Sequence, residues 1–220
     1  MDKGLKKRNY SILIIIVLLI SFLLNIVLCI NNASYKHRVG VNSYRNIESI
    51  KVKNDKILEI IDKSLEVNKI KNEEVLTLYA NYKDISDCII ELWDDYSFYK
   101  ENAISKLSRK KIDTSSILEN EIYSRVENYL ENSLINIMNT EKNELVLSGK
   151  VKKDFNVMKE ISLNMNKIFK DFNEDTLAKV EGKKKESVVV KNKYWIDILN
   201  KINNVNKEYT DYDFTEKVNK

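Results

Sequence analysis

The chain begins with an unbroken apolar run and then changes to apolar and polar positions that alternate with a helical period. Residues 11–30 read SILIIIVLLISFLLNIVLCI, in which seventeen of the twenty side chains are strongly apolar and none is charged. At 1.5 Å per residue, a helix of this length covers about 30 Å, the thickness of the hydrocarbon core of a bilayer. We therefore predict a transmembrane helix over 11–30.

A removable signal peptide is the first alternative to a permanent span. Such a peptide has a shorter apolar region, of about 7–15 residues, and small residues at its cleavage site. The run here is longer, and Asn31 and Asn32 follow it, so we favour the permanent span. Lipid attachment at Cys29 is disfavoured because the large residue Leu28 precedes it.

The flanking charges predict an orientation. The basic tail over 1–10 contains Lys3, Lys6, Lys7 and Arg8. Because cytoplasmic flanks are enriched in such residues, we predict a cytoplasmic N-terminus and an extracytoplasmic C-terminal domain in the cell membrane. Lys36, Arg38 and Arg45 follow the run, so the inverted orientation, with a cytoplasmic helical adaptor, stays open as an alternative.

After a juxtamembrane linker over 31–43, the clearest periodic pattern lies in residues 72–108. Its apolar positions alternate at spacings of three and four: Val75, Leu78, Tyr82, Ile85, Ile89, Leu92, Tyr96, Tyr99 and Ala103. This spacing predicts one long amphipathic helix with an a/d seam of about four heptads, and Asn72 is placed to cap its start. An intermolecular coiled coil on this seam is the alternative to an intramolecular bundle.

Weaker helical faces precede and follow this segment, at 44–70, from Ser116 onward, at 151–172 and at 190–209. The chain contains no proline and only four glycines, so little in it breaks a helix. We predict an all-α fold, with the transmembrane helix followed by an elongated antiparallel bundle of about four to five helices over 44–209 and a polar tail over 210–220. The apolar triplets at 145–147 and 188–190 are the places where a short strand is the alternative.

Charge and residue counts narrow the function. Residues 1–10 hold four of the 37 basic side chains and one of the 33 acidic ones, so the remainder is close to neutral and we expect no nucleic-acid partner. The single histidine is His37, and the two cysteines are Cys29 and Cys88, which leaves too few ligands for a zinc site of histidine and cysteine. We predict no catalytic residue, no metal and no cofactor.

One acidic face on the helix at 72–108 has two interpretations. It comprises Asp84, Asp87, Glu91, Asp94 and Asp95. Such a face can bind a divalent cation, but we favour a solvated face opposite lysines of a neighbouring helix.

Two groups of residues are candidates for binding. The basic clusters Arg109, Lys110, Lys111 and Lys183, Lys184, Lys185 are predicted either to contact anionic headgroups or to complement the helix dipole. The aromatic residues Tyr209, Tyr212 and Phe214 are predicted either to contact a protein partner or to pack back on the bundle.

Together these features predict a membrane-anchored, non-enzymatic interaction or scaffold module of a bacterial cell envelope. Its expected partners are the lipid bilayer and a protein, or a second copy of the chain through its helices. A ligand-binding or sensory domain that signals through a partner protein is the alternative function.

Overall fold

The computed structural model describes residues 3–102, 112, 122–177, 180 and 182–214. This part of the chain is mostly helical. The chain divides into two compact units, Met1–Val39 and Gly40–Lys220, which are described in turn.

The described elements follow one another in a simple order. They are α1 (Lys3–Val67), β1 (Lys69–Lys71), α2 (Asn72–Asn102), α3 (Ile122–Asn139), β2 (Glu144–Val146), α4 (Gly149–Asp171), a π-helical turn (Phe172–Thr176), α5 (Gly182–Asn192) and α6 (Tyr194–Glu208). Residues 31–43, the predicted juxtamembrane linker, are helical and belong to α1.

The first unit contains the N-terminal part of α1, which is covered by exposed apolar side chains. Every large apolar residue from Tyr10 to Ile30 is exposed, with fractions between 40% at Ile26 and 68% at Tyr10. The helix is long and apolar enough to cross a membrane.

The second unit is built around the α2 seam. All eight predicted seam residues from Val75 to Tyr99 are buried, at 0–6% exposure; the ninth, Ala103, lies outside the described residues. The prediction of a long amphipathic helix over this stretch is therefore confirmed for the part that the structure describes. Its apolar face packs within the chain's own core, mainly against α3 and α6.

Helices α1 and α2 run antiparallel in this unit. Ser43 near the start of the unit donates to Asp95 late in α2 (2.8 Å), whereas Lys63 pairs with Glu74 early in α2 (3.2 Å). We call the two ends of the unit the Gly40 end and the Val67 end. Helix α4 also runs antiparallel to α1, because Lys159 pairs with Asp62 near the Val67 end (2.6 Å), whereas Asn54, earlier in α1, donates to the carbonyl of Ser162, later in α4 (2.9 Å).

A two-stranded antiparallel sheet at the Val67 end corrects the all-α prediction. Lys69 is opposite Val146 and Lys71 is opposite Glu144. β2 thus overlaps the apolar triplet at 145–147 that was considered as an alternative, and it pairs with β1. One buried residue stabilises each side of this pairing: Ile70 of β1 and Leu147, which follows β2, are 1% and 2% exposed. The Leu147 N–H also donates to the Asn68 carbonyl (2.9 Å).

The final helix predicted over about 190–209 is confirmed as α6, with Trp195, Ile198, Ile202 and Val205 buried, whereas α5 before it was not predicted. The helix is interrupted at Lys193, which has a left-handed φ of 57°, so α5 and α6 form a helical hairpin. Burial on both sides of the break favours the turn, because Val190 packs against Gly40 of α1 and Trp195 packs edge-on against Tyr99 with a centroid distance of 5.9 Å. Residues 188–190 are helical.

The start of α2 is capped by a residue other than the one expected. The Lys71 N–H donates to Glu74 Oε2 (3.1 Å), which is the glutamate half of a capping box. This hydrogen bond lowers the pKa of Glu74. The Asn72 side chain instead donates to the Lys142 carbonyl (2.6 Å) and ties α2 to the segment before β2.

Candidate binding cleft beside the C-terminal segment

Residues 209–214, here called the C-terminal segment, follow α6 and lie against α3 and α4. The Arg125 guanidinium of α3 donates to three carbonyls of this segment, those of Tyr209 (3.4 Å), Thr210 (2.8 Å) and Tyr212. Carbonyls past a helix end have no helical partner. Arg125 satisfies them and fixes the path of the chain.

A buried carboxylate on α4 provides a second anchor. Asp154 is fully buried, pairs with Lys150 and accepts a hydrogen bond from the Tyr212 hydroxyl (2.7 Å). Lys150 also donates to the Asp213 carbonyl (2.7 Å), and its Nζ lies 4.8 Å from the centroid of the Tyr212 ring. Burial is the main cause that raises the pKa of Tyr212, and the hydrogen bond to the Asp154 carboxylate is the next. The Tyr212 hydroxyl therefore stays protonated and donates to Asp154.

Aromatic packing completes the attachment. Phe214 is 3% exposed, and its ring lies 5.8 Å from the centroid of Tyr129 on α3 and 4.8 Å from that of Tyr212. Rings at these separations add to the burial of apolar surface. The C-terminal segment is therefore held by polar and apolar contacts together.

A cleft of about 550 Å3 opens between α3 and the end of this segment. One wall is the face of α3 that carries Asn128, Asn132, Asn136 and Asn139, and the other wall contains Asp213 and Phe214. Spacings of four, four and three keep the asparagines on one face of a helix with 3.6 residues per turn. We call these four residues the amide row.

The side chains of the amide row are exposed. Among the hydrogen bonds between residues that the structure describes, none involves these four side-chain amides, in contrast to the amides of Asn54 and Asn72. Each amide can donate two hydrogen bonds and accept two. The cleft therefore presents uncommitted donors and acceptors along one wall.

The predicted aromatic residues all contact the bundle. Tyr212 and Phe214 belong to the attachment described above, and the Tyr209 hydroxyl accepts a hydrogen bond from Asn164 (3.0 Å). Burial raises the pKa of Tyr209. Of the three, Phe214 lines the cleft; a contact of these residues with a protein partner stays a prediction.

The structure describes one of the two predicted basic clusters, and only in part. Arg109, Lys110 and Lys111, and the side chain of Lys183, lie outside the described residues. Lys184 is exposed. Lys185 pairs with Glu48 of α1 (2.6 Å), and its Nζ lies 5.9 Å from the centroid of the Tyr44 ring. The structure does not bring the described lysines to the cleft.

Most of the acidic face on α2 has partners within the unit. Glu91 accepts from Asn46 (2.9 Å), Asp95 accepts from Ser43, and Asp84 pairs with Lys53. Asp87 of the same face pairs with Lys83 (3.5 Å) on α2 itself. Burial raises the pKa of Asp95, and the hydrogen bonds from Ser43 and Asn42 oppose this rise. In the described part of the chain, no three histidine, cysteine, aspartate or glutamate side chains are grouped to hold a metal ion.

Comparisons with known proteins add no relative: no protein-family model, curated protein or solved structure matches this chain. The cleft is thus the candidate site on geometry alone. Sequence reasoning missed the amide row, although its spacing is visible between residues 128 and 139. Four exposed asparagines on a helix look like an ordinary solvated face until the position of the C-terminal segment turns that face into one wall of a cleft.

Proposed function

We propose that this chain is a single-pass, membrane-anchored, non-enzymatic interaction module of a bacterial cell envelope. The observation that carries the proposal is the continuous exposed apolar surface from Tyr10 to Ile30. In a bilayer these apolar side chains contact lipid instead of water, and the helix satisfies its own backbone hydrogen bonds. The unit Gly40–Lys220 has a separate core and contributes the surface that meets a partner.

The orientation in this proposal rests on the basic tail. Positive residues before the span favour the cytoplasmic side, and the second unit then lies outside the cytoplasm. A helical bundle on the far side of the membrane would present its surface to other envelope proteins. This function also fits the attached C-terminal segment, which shapes a cleft and leaves polar amides facing solvent.

Two-sided cysteine labelling tests the proposal. In a chain with Cys29→Ser and Cys88→Ser, a single cysteine replaces either Lys6 in the basic tail or the exposed Lys207 of α6. A membrane-impermeant maleimide is added to intact cells stripped of their wall. We expect Lys207→Cys to react in intact cells and Lys6→Cys to react only after permeabilisation.

The reverse labelling pattern contradicts the proposed orientation and assigns the chain to the cytoplasmic adaptors. Labelling of both positions in intact cells, with the protein recovered in the soluble fraction, contradicts the membrane anchor itself. A cysteine-free chain treated with the same maleimide controls for reaction at other groups.

A ligand-binding or sensory domain is the second candidate function, and the cleft beside α3 favours it. Its volume of about 550 Å3 falls within the range of about 300–1,000 Å3 that is usual for small-ligand sites. In this case a ligand in the cleft would alter the contact with a signalling partner. A stabilised unfolding transition with a small molecule, lost when the amide row is replaced, would favour this function over a purely structural module.

A further inference from the structure

The spacing of the amide row matches an extended polypeptide. Successive asparagines at 128, 132 and 136 are separated by about 6 Å along the helix, at 1.5 Å per residue. An extended chain repeats every two residues, or about 6.6 Å. Over three positions the two repeats stay in register to within about 1.5 Å, which side-chain rotation of an asparagine can absorb.

The hydrogen-bonding groups of the amide row also match those of a polypeptide main chain. A side-chain amide offers the same N–H donor and C=O acceptor as a peptide unit, so one asparagine can pair with both main-chain groups of one residue. The lining is close to electroneutral, since its one cationic side chain, Arg125, is balanced by one anionic side chain, Asp213, and the Arg125 guanidinium already donates to three carbonyls of the C-terminal segment. An uncharged main chain is the complementary ligand for such a wall.

The cleft also has a place for apolar side chains of the ligand. Ile135 lines it and is 50% exposed, in the same wall as the amide row. The opposite wall is held in place by the packing of Phe214 on Tyr129. Little ordering of the cleft is therefore needed when a ligand enters, which favours affinity.

We propose that this cleft binds an extended segment of a partner protein, with the amides of Asn128, Asn132 and Asn136 paired to its main chain and Ile135 in contact with its side chains. The proposal rests on the function proposed above and names the kind of partner that this interaction module takes. In recognition of this type, hydrogen bonds to the main chain provide the affinity and contacts with side chains provide the specificity.

The test uses the full chain in detergent micelles and a resin-bound library of random octapeptides with capped termini. Peptides that bind are resynthesised with a fluorophore, and their Kd is measured by anisotropy. The test variant is the double substitution Asn128→Leu with Asn132→Leu. The matched control is Asn200→Leu with Asn204→Leu, an exposed pair at the same spacing on α6, away from the cleft. Thermal unfolding of each variant verifies that it folds.

We expect the test variant to weaken peptide binding at least about tenfold, since it removes two paired amides, and the control to leave the Kd unchanged. Methylation of the peptide's main-chain nitrogens should also abolish binding, because it removes the donors. Three results would overturn the proposal: no selected peptide, binding indifferent to the test variant or to N-methylation, or a cleft that binds N-acetylglucosamine oligosaccharides instead.

Failure of this proposal and failure of the function proposed above are distinguishable. Micelles present both sides of the protein, so an inverted orientation would leave peptide binding intact. Loss of the peptide site would likewise leave the cysteine-labelling pattern unchanged.

Discussion

The contact between Gly40 and Val190 provides a sharp test of how α5 packs on α1. A methyl group added at Gly40 would lie 2.8 Å from Val190 Cγ1 and 3.5 Å from its Cβ. Carbon atoms in ordinary contact are about 3.5–4.0 Å apart, so the first approach is an overlap and the second is acceptable. Gly40 is therefore needed for space, although its helical position alone would favour alanine.

The magnitude of Gly40→Ala is the sum of two opposing effects. Overpacking in a well-packed interior costs about 1–3 kcal/mol, whereas replacing glycine by alanine inside a helix gains about 0.5–1 kcal/mol. We expect a net loss of about 1 kcal/mol in the free energy of unfolding. In a Val190→Ala background Cγ1 is gone, and the same substitution should stabilise by about 0.5–1 kcal/mol.

Denaturant unfolding of the full chain in detergent, followed by the fluorescence of Trp93 and the buried Trp195, measures all four members of this cycle. Gly149→Ala is the control, because its destabilisation comes from the backbone and involves no overlap with a neighbour. The φ of Gly149 is +52°, and nothing lies within 4 Å of the added methyl group. This substitution should cost about 1 kcal/mol in both backgrounds. If Gly40→Ala has the same effect with and without Val190→Ala, the packing of α5 on α1 described here is wrong.

Three further substitutions test other parts of the fold. Glu141→Gly should raise the free energy of unfolding by about 1 kcal/mol, because Glu141 is exposed with a φ of 53°; an unchanged or lower denaturation midpoint would contradict this. Glu74→Ala should lower the free energy of unfolding by about 1 kcal/mol through loss of the cap on the Lys71 N–H. Because the folded pKa of Glu74 is lowered, its contribution is present above the ordinary glutamate pKa and is lost as the pH falls through the folded pKa, so the two proteins should converge in acid and differ at neutral pH. Arg125→Met should release the C-terminal segment at a cost of about 1.5–3 kcal/mol in local opening, seen as faster amide hydrogen exchange in residues 209–214 with unchanged exchange in α2; unchanged exchange in that segment would show that Arg125 does not hold it.

The main elements of the fold were predictable because their signals are local. The seam from Val75 to Tyr99 repeats often enough to identify both the helix and its buried face, and residues 11–30 identify the apolar helix by length and composition. These properties depend on neighbours three or four positions away, which the sequence displays directly.

The missed features depend on contacts between distant parts of the chain. The strand at Glu144–Val146 forms because β1 is available to pair with it, and the break at Lys193 exists because α5 packs on α1. The cleft needs Arg125 to bind carbonyls more than 80 residues later. Nothing in the local sequence of either partner indicates such pairings, so spacing alone does not distinguish the amide row from an ordinary solvated face.

Retention of the apolar N-terminal helix in the bilayer is tested most directly by the intact mass of the protein from its native membrane after an alkaline carbonate wash. The expected result is the whole chain of 25.8 kDa, with or without its first methionine, in the membrane pellet. Material that begins after residue 30, or the whole chain in the supernatant, would contradict a permanent membrane anchor.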